Sequence, residues 1–377
     1  LAPFFQLAAN SIDGVPTNDN FGLNDSGLPA LNQPISIDWI QEFNVGISNY
    51  DVTQKDFTGA NINAVTKSGG NEFSGGVYGV YRNSDMVSDK PAEFRGFDDE
   101  WTAGGYVGGP IIPDTLFFFV GYEEFQRSSP APDVGLTGSG ASTIVTGLTQ
   151  ADLDRIRSIA QTQYGFDIGS TTVPAIDNTD KKWIAKLDWN INDQHRATFR
   201  YNKTEGDVLR LPNLSRTAYS LSSNWYQDNI SFENYALLLY SNWNDMFSTE
   251  ANVSYGEYRS APSFDVRAPQ VRVGVNNNGT GVFFGTEQSR HANVLATDTW
   301  TGYFAGDLFL GDHTVRFGTD FESSDVFNLF LQNVFGNYNF SSIDNFAAGR
   351  WTSYTLQFPV NEPVDTDASA FSLVCND

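Results

Sequence analysis

Lys182-Trp183-Ile184-Ala185-Lys186-Leu187-Asp188-Trp189-Asn190-Ile191, followed after a short break by Arg196-Ala197-Thr198-Phe199-Arg200-Tyr201-Asn202, decides the fold. Side chains of an extended strand alternate between its two faces. Trp183, Ala185, Leu187, Trp189 and Ile191 therefore share one face, and Lys182, Lys186, Asp188 and Asn190 the other, with Ile184 the one exception. In the second run Ala197, Phe199 and Tyr201 alternate with Arg196, Thr198, Arg200 and Asn202. The same pattern returns at Ala251, Val253 and Tyr255 against Glu250, Asn252 and Ser254, and at Val315, Phe317 and Phe321 against Arg316, Asp320 and Glu322. Each of these strands has one apolar and one wet side. Segments 116–125 and 235–243 are apolar on both faces, so their period does not orient them.

The connections sort by length. From a strand at about 72–82 the joins run long at 83–98, short at 110–115, long at 128–180, short at 192–195 and long at 207–226. They continue short at 244–247, long at 260–296, short at 311–312 and long again over 332–366. An up-and-down antiparallel sheet then carries all its tight turns at one end and all its long loops at the other, the asymmetry of outer-membrane barrels. A soluble β-sandwich, the competing all-β reading, has no physical reason to sort its loops this way. Trp183, Trp189, Tyr201, Trp243, Tyr255, Tyr258, Trp300 and Tyr303 fall near strand ends or on outward faces, where a membrane interface favours amphipathic rings. Ordinary strand propensity also accounts for aromatics in a sheet.

One helix is expected, inside the longest loop. Thr149 and Asp152 form a capping-box pattern, Leu153, Ile156, Ile159 and Ala160 make one apolar face, and Gly165 stops it. A structural patch over the barrel rim is preferred to a ligand gate.

Composition narrows the partners. The 377 residues carry 22 Lys plus Arg against 45 Asp plus Glu, a net charge of -23, which opposes binding to nucleic-acid phosphates. No run approaches the length of an apolar membrane helix, so any membrane must be crossed by strands. The lone Cys375 excludes an internal disulfide framework. Leu1 to Ala9 show no signal-peptide pattern, and the chain is expected to be cut from a longer one at both ends.

No catalytic constellation is present in the sequence. The glycines at 104–109 are followed by Pro110 and a strand instead of a helix N-terminus, so they do not cradle phosphate. His195, His291 and His313 are scattered and expected to be solvated. The acidic groups Asp98-Asp99-Glu100, Asp177 with Asp180, and Asp365 with Asp367 lack calcium-loop spacing, and 276–281 reads as a loop tip.

Residues 1–71 do not read as wall. Pro34-Ile35-Ser36-Ile37-Asp38, Ile40-Gln41-Glu42-Phe43-Asn44-Val45 and Ser48-Asn49-Tyr50-Asp51-Val52 are followed by Phe57-Thr58-Gly59-Ala60-Asn61-Ile62-Asn63-Ala64-Val65-Thr66-Lys67-Ser68-Gly69-Gly70-Asn71. This stretch resembles the late plug of TonB-dependent receptors, particularly the Oar-like branch, with its small-residue turn, Ile-Asn-x-Val-Thr-Lys strand and Gly-rich exit. Glu72-Phe73-Ser74-Gly75-Gly76-Val77-Tyr78 looks like the first barrel strand of that family, and Gly108-Gly109-Pro110-Ile111-Ile112 with Leu116-Phe117-Phe118-Phe119 and Tyr122-Glu123 is similar to its second hairpin. Cys375 departs from the family pattern.

The resemblance implies an all-β chain: 1–71 as the C-terminal part of a plug domain, and 72–377 as the N-terminal part of a transmembrane antiparallel barrel. The wall would hold about nine or ten strands of the roughly 22 that go with a plugged lumen. The plug-to-barrel junction falls on Gly59, Asn61, Asn63, Thr66, Lys67, Gly69, Gly70 and Gly75. The function implied is energy-coupled uptake or reception of a ligand at the outer membrane of a Gram-negative bacterium, without enzyme activity or cofactor. The implied partners are outer-membrane lipid and lipopolysaccharide, a TonB-type energy-coupling protein acting through a segment ahead of Leu1, and a siderophore, peptide, glycan or protein ligand. A small closed barrel serving as surface protease or adhesin, and a passive porin, are the alternatives.

Overall fold

Alternation in the sequence becomes two unlike faces of one sheet. The computed structural model describes residues 8–19, 27–47, 60–86, 96–275 and 279–358, with the backbone alone over 366–376. Gly59, the 48–52 and 276–278 segments and the side chain of Cys375 lie outside what is described.

The chain opens with a small sheet: β1 (Ala8–Ile12), β2 (Val15–Pro16), β3 (Ile40–Ile47) and β4 (Ala60–Thr66), in the order β2-β1-β4-β3. β1 runs parallel to β4, and β3 runs antiparallel to it. The large sheet then begins with β5 (Ser74–Asn83), β6 (Asp99–Ile112) and β7 (Leu116–Ser129). A loop follows, carrying the two-residue strands β8 (Val134–Gly135) and β9 (Thr143–Ile144) and helix α1 (Gln150–Tyr164). β10 (Ile176–Asn190) and β11 (His195–Arg210) return to the large sheet, β12 (Ala218–Ser220) leaves it, and β13 (Tyr226–Asn244) and β14 (Phe247–Ser260) rejoin it. After β15 (Gln270–Gly274) and β16 (Gly281–Phe284) come the long β17 (Ala292–Leu310) and β18 (His313–Leu331). β19 (Asn337–Phe340), α2 (Ile343–Ala347), β20 (Ser353–Thr355) and β21 (Thr366–Asn376) complete the chain.

The ten-stranded sheet has the order β21-β18-β17-β14-β13-β11-β10-β7-β6-β5, with every neighbouring pair antiparallel. Its edges β5 and β21 do not meet among the described residues, so the wall is open. The strands run further into the long connections than the hydropathy pattern suggests: β7 reaches Ser129, β10 starts at Ile176, β11 ends at Arg210 and β17 starts at Ala292. The reason is composition. In β7 and β10 the added residues, 127–129 and 177–181, are polar on both faces, so alternation fades there while ladder hydrogen bonding continues.

Leu187 and Trp189 stand 40% and 48% exposed on the outside, while Lys182, Ile184 and Lys186 on the opposite face are buried. Inside and outside are thus inverted relative to a soluble sheet. Plug contacts also explain the strands whose period is ambiguous. Phe119 of β7 turns inward and packs with Trp39, Ile12, Ile35 and Ile184, while Val120 and Tyr122 face out. In β13, Ala236 and Leu238 close over Val15 of the plug, while Tyr235, Leu237 and Leu239 are exposed. Ile184, the exception in its strand, is a plug contact.

The long connections are not structureless. β12, β16, β15, β19 and β20 assemble a second, five-stranded sheet above the wall. Leu153, Ile156, Ile159 and Ala160 of α1 pack against its Tyr219, Val273, Val282, Phe284 and Phe340. The helix has the expected capping box at Thr149 and Asp152 and ends at Gly165 in the left-handed region, φ 62°.

Candidate functional site

The plug meets the polar face of the wall, and cationic side chains there face a demand that geometry must satisfy, because an unpaired buried charge is costly. Arg200 on β11 is 0% exposed. Its guanidinium donates to Asp13 Oδ2 at 3.0 Å, to the carbonyl of Ile12 and to Asn234 Oδ1 at 2.9 Å on β13. Asp13 sits at the β1–β2 corner with φ 51°, a left-handed conformation that Asp tolerates. It also accepts from the Thr66 amide at 2.7 Å and the Thr66 hydroxyl at 2.8 Å, which closes the corner onto β4. Lys186 on β10 donates to Thr66 Oγ1 at 3.0 Å and lies 4.0 Å from Asp13. Burial alone would raise the Asp13 carboxyl, but Arg200, Lys186 and the Thr66 hydrogen bonds outweigh it and hold the group below its ordinary value.

A second cluster lies nearer the long loops. Glu123 on β7 accepts from Lys182 Nζ at 2.8 Å, from Tyr78 OH at 2.8 Å and from Ser36 Oγ of the plug. Asp180 lies 3.5 Å from the same lysine. Beside it, the Trp39 ring fits against Gly121, where any Cβ would fall 2.7 Å from the indole.

The junction residues expected from sequence scatter around these clusters. Thr66 is central. Asn63 accepts from Ser11 Oγ at 3.0 Å and from the Gly14 amide at 2.9 Å, so it braces the plug corner. Lys67 donates to the Asp38 carbonyl at 2.7 Å and lies 4.4 Å from the centroid of the Tyr106 ring. Gly69 crosses directly over the wall: a Cβ there would fall on the Phe118 carbonyl oxygen and lie 2.8 Å from that of Gly109. Gly75 approaches the Tyr106 carbonyl, whereas Gly70 faces open space. Asn61 lines a polar cavity of about 590 Å³ between plug and wall, with Asn10 and Asn63 on one side and Glu250, Tyr303 and Arg316 on the other.

Asp13, Lys186, Arg200, Ser36, Glu123 and Lys182 were not expected as site residues from sequence. The usable signal was the alternation itself, because a lysine or arginine on the inward face of a membrane strand must find a partner. Two aromatic assignments are corrected. Tyr258 is 6% exposed and packs inward with Ile230, Phe232 and Leu295, and Tyr303 accepts from Arg316 inside the wall at 3.0 Å. The outer face instead carries two in-register groups, Tyr122 with Trp183 and Tyr201 with Tyr235, Tyr255 and Trp300, with neighbouring rings at 4.9 to 6.4 Å. His291, expected in solvent, is 6% exposed beneath the loop layer, because that layer folds back over it. Among the described residues, no three His, Cys, Asp or Glu side chains gather at metal-binding range.

Comparison with known proteins agrees with this geometry. Residues 65–146 match the model of an outer membrane beta barrel domain. The chain is 28% identical over 218 residues to the TonB-dependent transporter Oar of Myxococcus xanthus, covering 54% of this chain and 19% of that protein. It superposes on the outer membrane transporter YddB from Escherichia coli with a TM-score of 0.66, at 15% identity over 98% of this chain and 47% of that one. A variant of the ferric enterobactin receptor PfeA from Pseudomonas aeruginosa gives a TM-score of 0.59, at 15% identity over 97% of this chain and 46% of that one. The chain thus spans about half the length of these solved structures. It is a partial outer-membrane β-barrel with plug-type sheet, in the fold of TonB-dependent receptors and related to Oar, and its place is the outer membrane of a Gram-negative bacterium.

Proposed function

We propose that this chain is part of a receptor that takes up or senses a ligand at the cell surface by TonB-coupled displacement of its plug. The observation that carries the reading is the pinning of β1, β2 and β4 onto the inner wall by Asp13, Thr66, Lys186 and Arg200, a set of charge-assisted bonds that is strong yet reversible. A plug fastened by a few polar bonds can hold the lumen shut at rest and yield to a pull from the periplasm. Gly59, Asn61, Asn63, Thr66, Lys67, Gly69, Gly70 and Gly75 form the junction through which that pull passes to the wall, and 1–71 and 72–377 are its two domains. The ligand is a siderophore, peptide, glycan or protein met by the loop layer, and lipid and lipopolysaccharide surround the outer face. The similar proteins are transporters and receptors, and this chain acts as one of them without catalysing a reaction.

Among the described residues the edges β5 and β21 stay apart, which disfavours a small closed barrel, and the plug seated inside the wall disfavours a passive porin. The test is conductance of the full-length protein in a planar bilayer. A plugged receptor stays nearly closed and opens when Asp13 or Arg200 alone is replaced by Ala, which leaves the other charge unpaired; steady conductance of the unaltered protein overturns the reading.

A further inference from the structure

His291 occupies a position that the plug and wall do not explain. It lies between the 286–290 segment and the first residue of β17, buried against the turn at 332–336 that joins β18 to β19. Its Nε2 is 2.9 Å from the Thr286 carbonyl, and its Nδ1 is 3.1 Å from the Phe335 amide nitrogen. A carbonyl can only accept and an amide N–H can only donate. The ring must therefore carry its proton on Nε2 and offer a bare Nδ1 to Phe335, and only one neutral tautomer fits. The Phe335 ring also stacks on the imidazole, with centroids 4.6 Å apart.

The rest of the contact is uncharged hydrogen bonding. The Asn333 amide donates to the Gln288 carbonyl at 3.0 Å, Gln332 donates to Ser289 Oγ at 2.9 Å, and Asn337 donates to Gln288 Oε1. Asn333 holds the turn in the left-handed region, φ 59°. The 332–336 turn carries no titratable side chain. On the opposing segment Glu287 and Arg290 face each other at 3.5 Å, and Asp265 and Arg267 flank the Phe264 ring that touches Phe335. None of these four hydrogen-bonds to the imidazole.

We propose that His291 is a proton-sensitive latch: protonation at Nδ1 sets a donor against the Phe335 N–H and releases the 332–336 turn, with β19 behind it, from the base of β17. Burial already holds the imidazole below its ordinary value of 6.5, against the opposing pull of the Thr286 carbonyl. The latch is thus closed above that value and opens as pH falls through the lower one. β19 supplies Tyr338 and Phe340 to an apolar cavity of about 350 Å³ that Tyr164, Phe346 and Trp351 also line. Acid therefore loosens one wall of a cavity in the loop layer while leaving the barrel strands paired.

Hydrogen exchange on the full-length protein in detergent tests this. Exchange of a peptide covering 332–340 is divided by that of the α1 peptide 150–164 from the same molecule, which cancels the intrinsic effect of pH. The ratio is expected to rise at least about tenfold between neutral pH and about pH 5 in the unaltered protein, and to stay flat in His291→Gln. An unchanged ratio in the unaltered protein, or the same rise in H291Q, overturns the proposal. Imidazole NMR of the unaltered protein serves if H291Q does not fold. The ring must then be the neutral Nε2–H tautomer at pH 7 and above, and must protonate at the midpoint of the exchange rise; a different tautomer or midpoint overturns the proposal.

Discussion

Asp13 and Arg200, far apart in the chain, meet at 3.0 Å across the boundary between plug and wall, and the arginine has no exposure to solvent. Removing one partner of such a pair strands the other charge in a dry site. Asp13→Ala and Arg200→Ala are each expected to weaken plug seating by about 3–5 kcal/mol, and replacing both with apolar residues to cost less than either alone. Protease accessibility of the plug in the purified protein checks this. Additive losses would show that the two side chains act separately.

The Asp13 carboxyl lies below its ordinary value of 3.8, so its contribution to plug seating is fully present above that pH and fades as pH falls through the lower folded-state value. Hydrogen exchange of β4 should therefore be unchanged while His291 takes up its proton just below its ordinary range, and should rise only below about pH 4. Loss of β4 protection at pH 5 would contradict this ordering.

Gly69 and Gly70 are adjacent but not equivalent. A Cβ at Gly69 collides with wall backbone on two strands, and one at Gly70 meets nothing. Gly69→Ala is expected to cost about 1–3 kcal/mol through overpacking, and Gly70→Ala to stay within about 0.5 kcal/mol. The thermal unfolding midpoints of the two variants, measured side by side, decide the matter.

Leu187 faces outward in the later half of β10, on the same face as Trp183 and Trp189, where lipid should lie. Leu187→Arg should cost about 2–4 kcal/mol in a bilayer. The same change on a water-facing sheet surface would cost little, so reversible folding into lipid vesicles distinguishes the two environments.

The loop layer is held by its own core, so a local defect in it should stay local. Thr149→Ala removes the hydroxyl that accepts from the Asp152 amide and is expected to cost α1 about 1 kcal/mol. Exchange should increase across 150–164 without change in β10 or β11. Spread into the barrel strands would show that loop layer and wall unfold as one unit.

Much of this architecture was legible in the residues because strand alternation and helix capping are local. The face shared by Trp183, Leu187 and Trp189 and the Thr149 to Gly165 helix could be read from spacings of two to four residues. The inward orientation of Phe119 and Leu238 could not, since both faces of their strands are apolar for different reasons: lipid outside and the plug's Trp39 or Val15 inside. The burial of His291 and the inward turn of Tyr258 escaped for the same cause, because each depends on a partner many residues away.

By itself the sequence determined that the chain crosses a membrane with strands, that tight turns and long loops lie at opposite ends, and that glycines cluster over 69–76. These follow from period, loop length and backbone freedom, all properties of short segments. The tertiary structure alone decided which wall cations hold the plug, that long loops build a second sheet, and that a histidine lies locked beneath it. Those are pairings between distant residues, which local spacing does not specify and only the folded sheet brings within bonding distance.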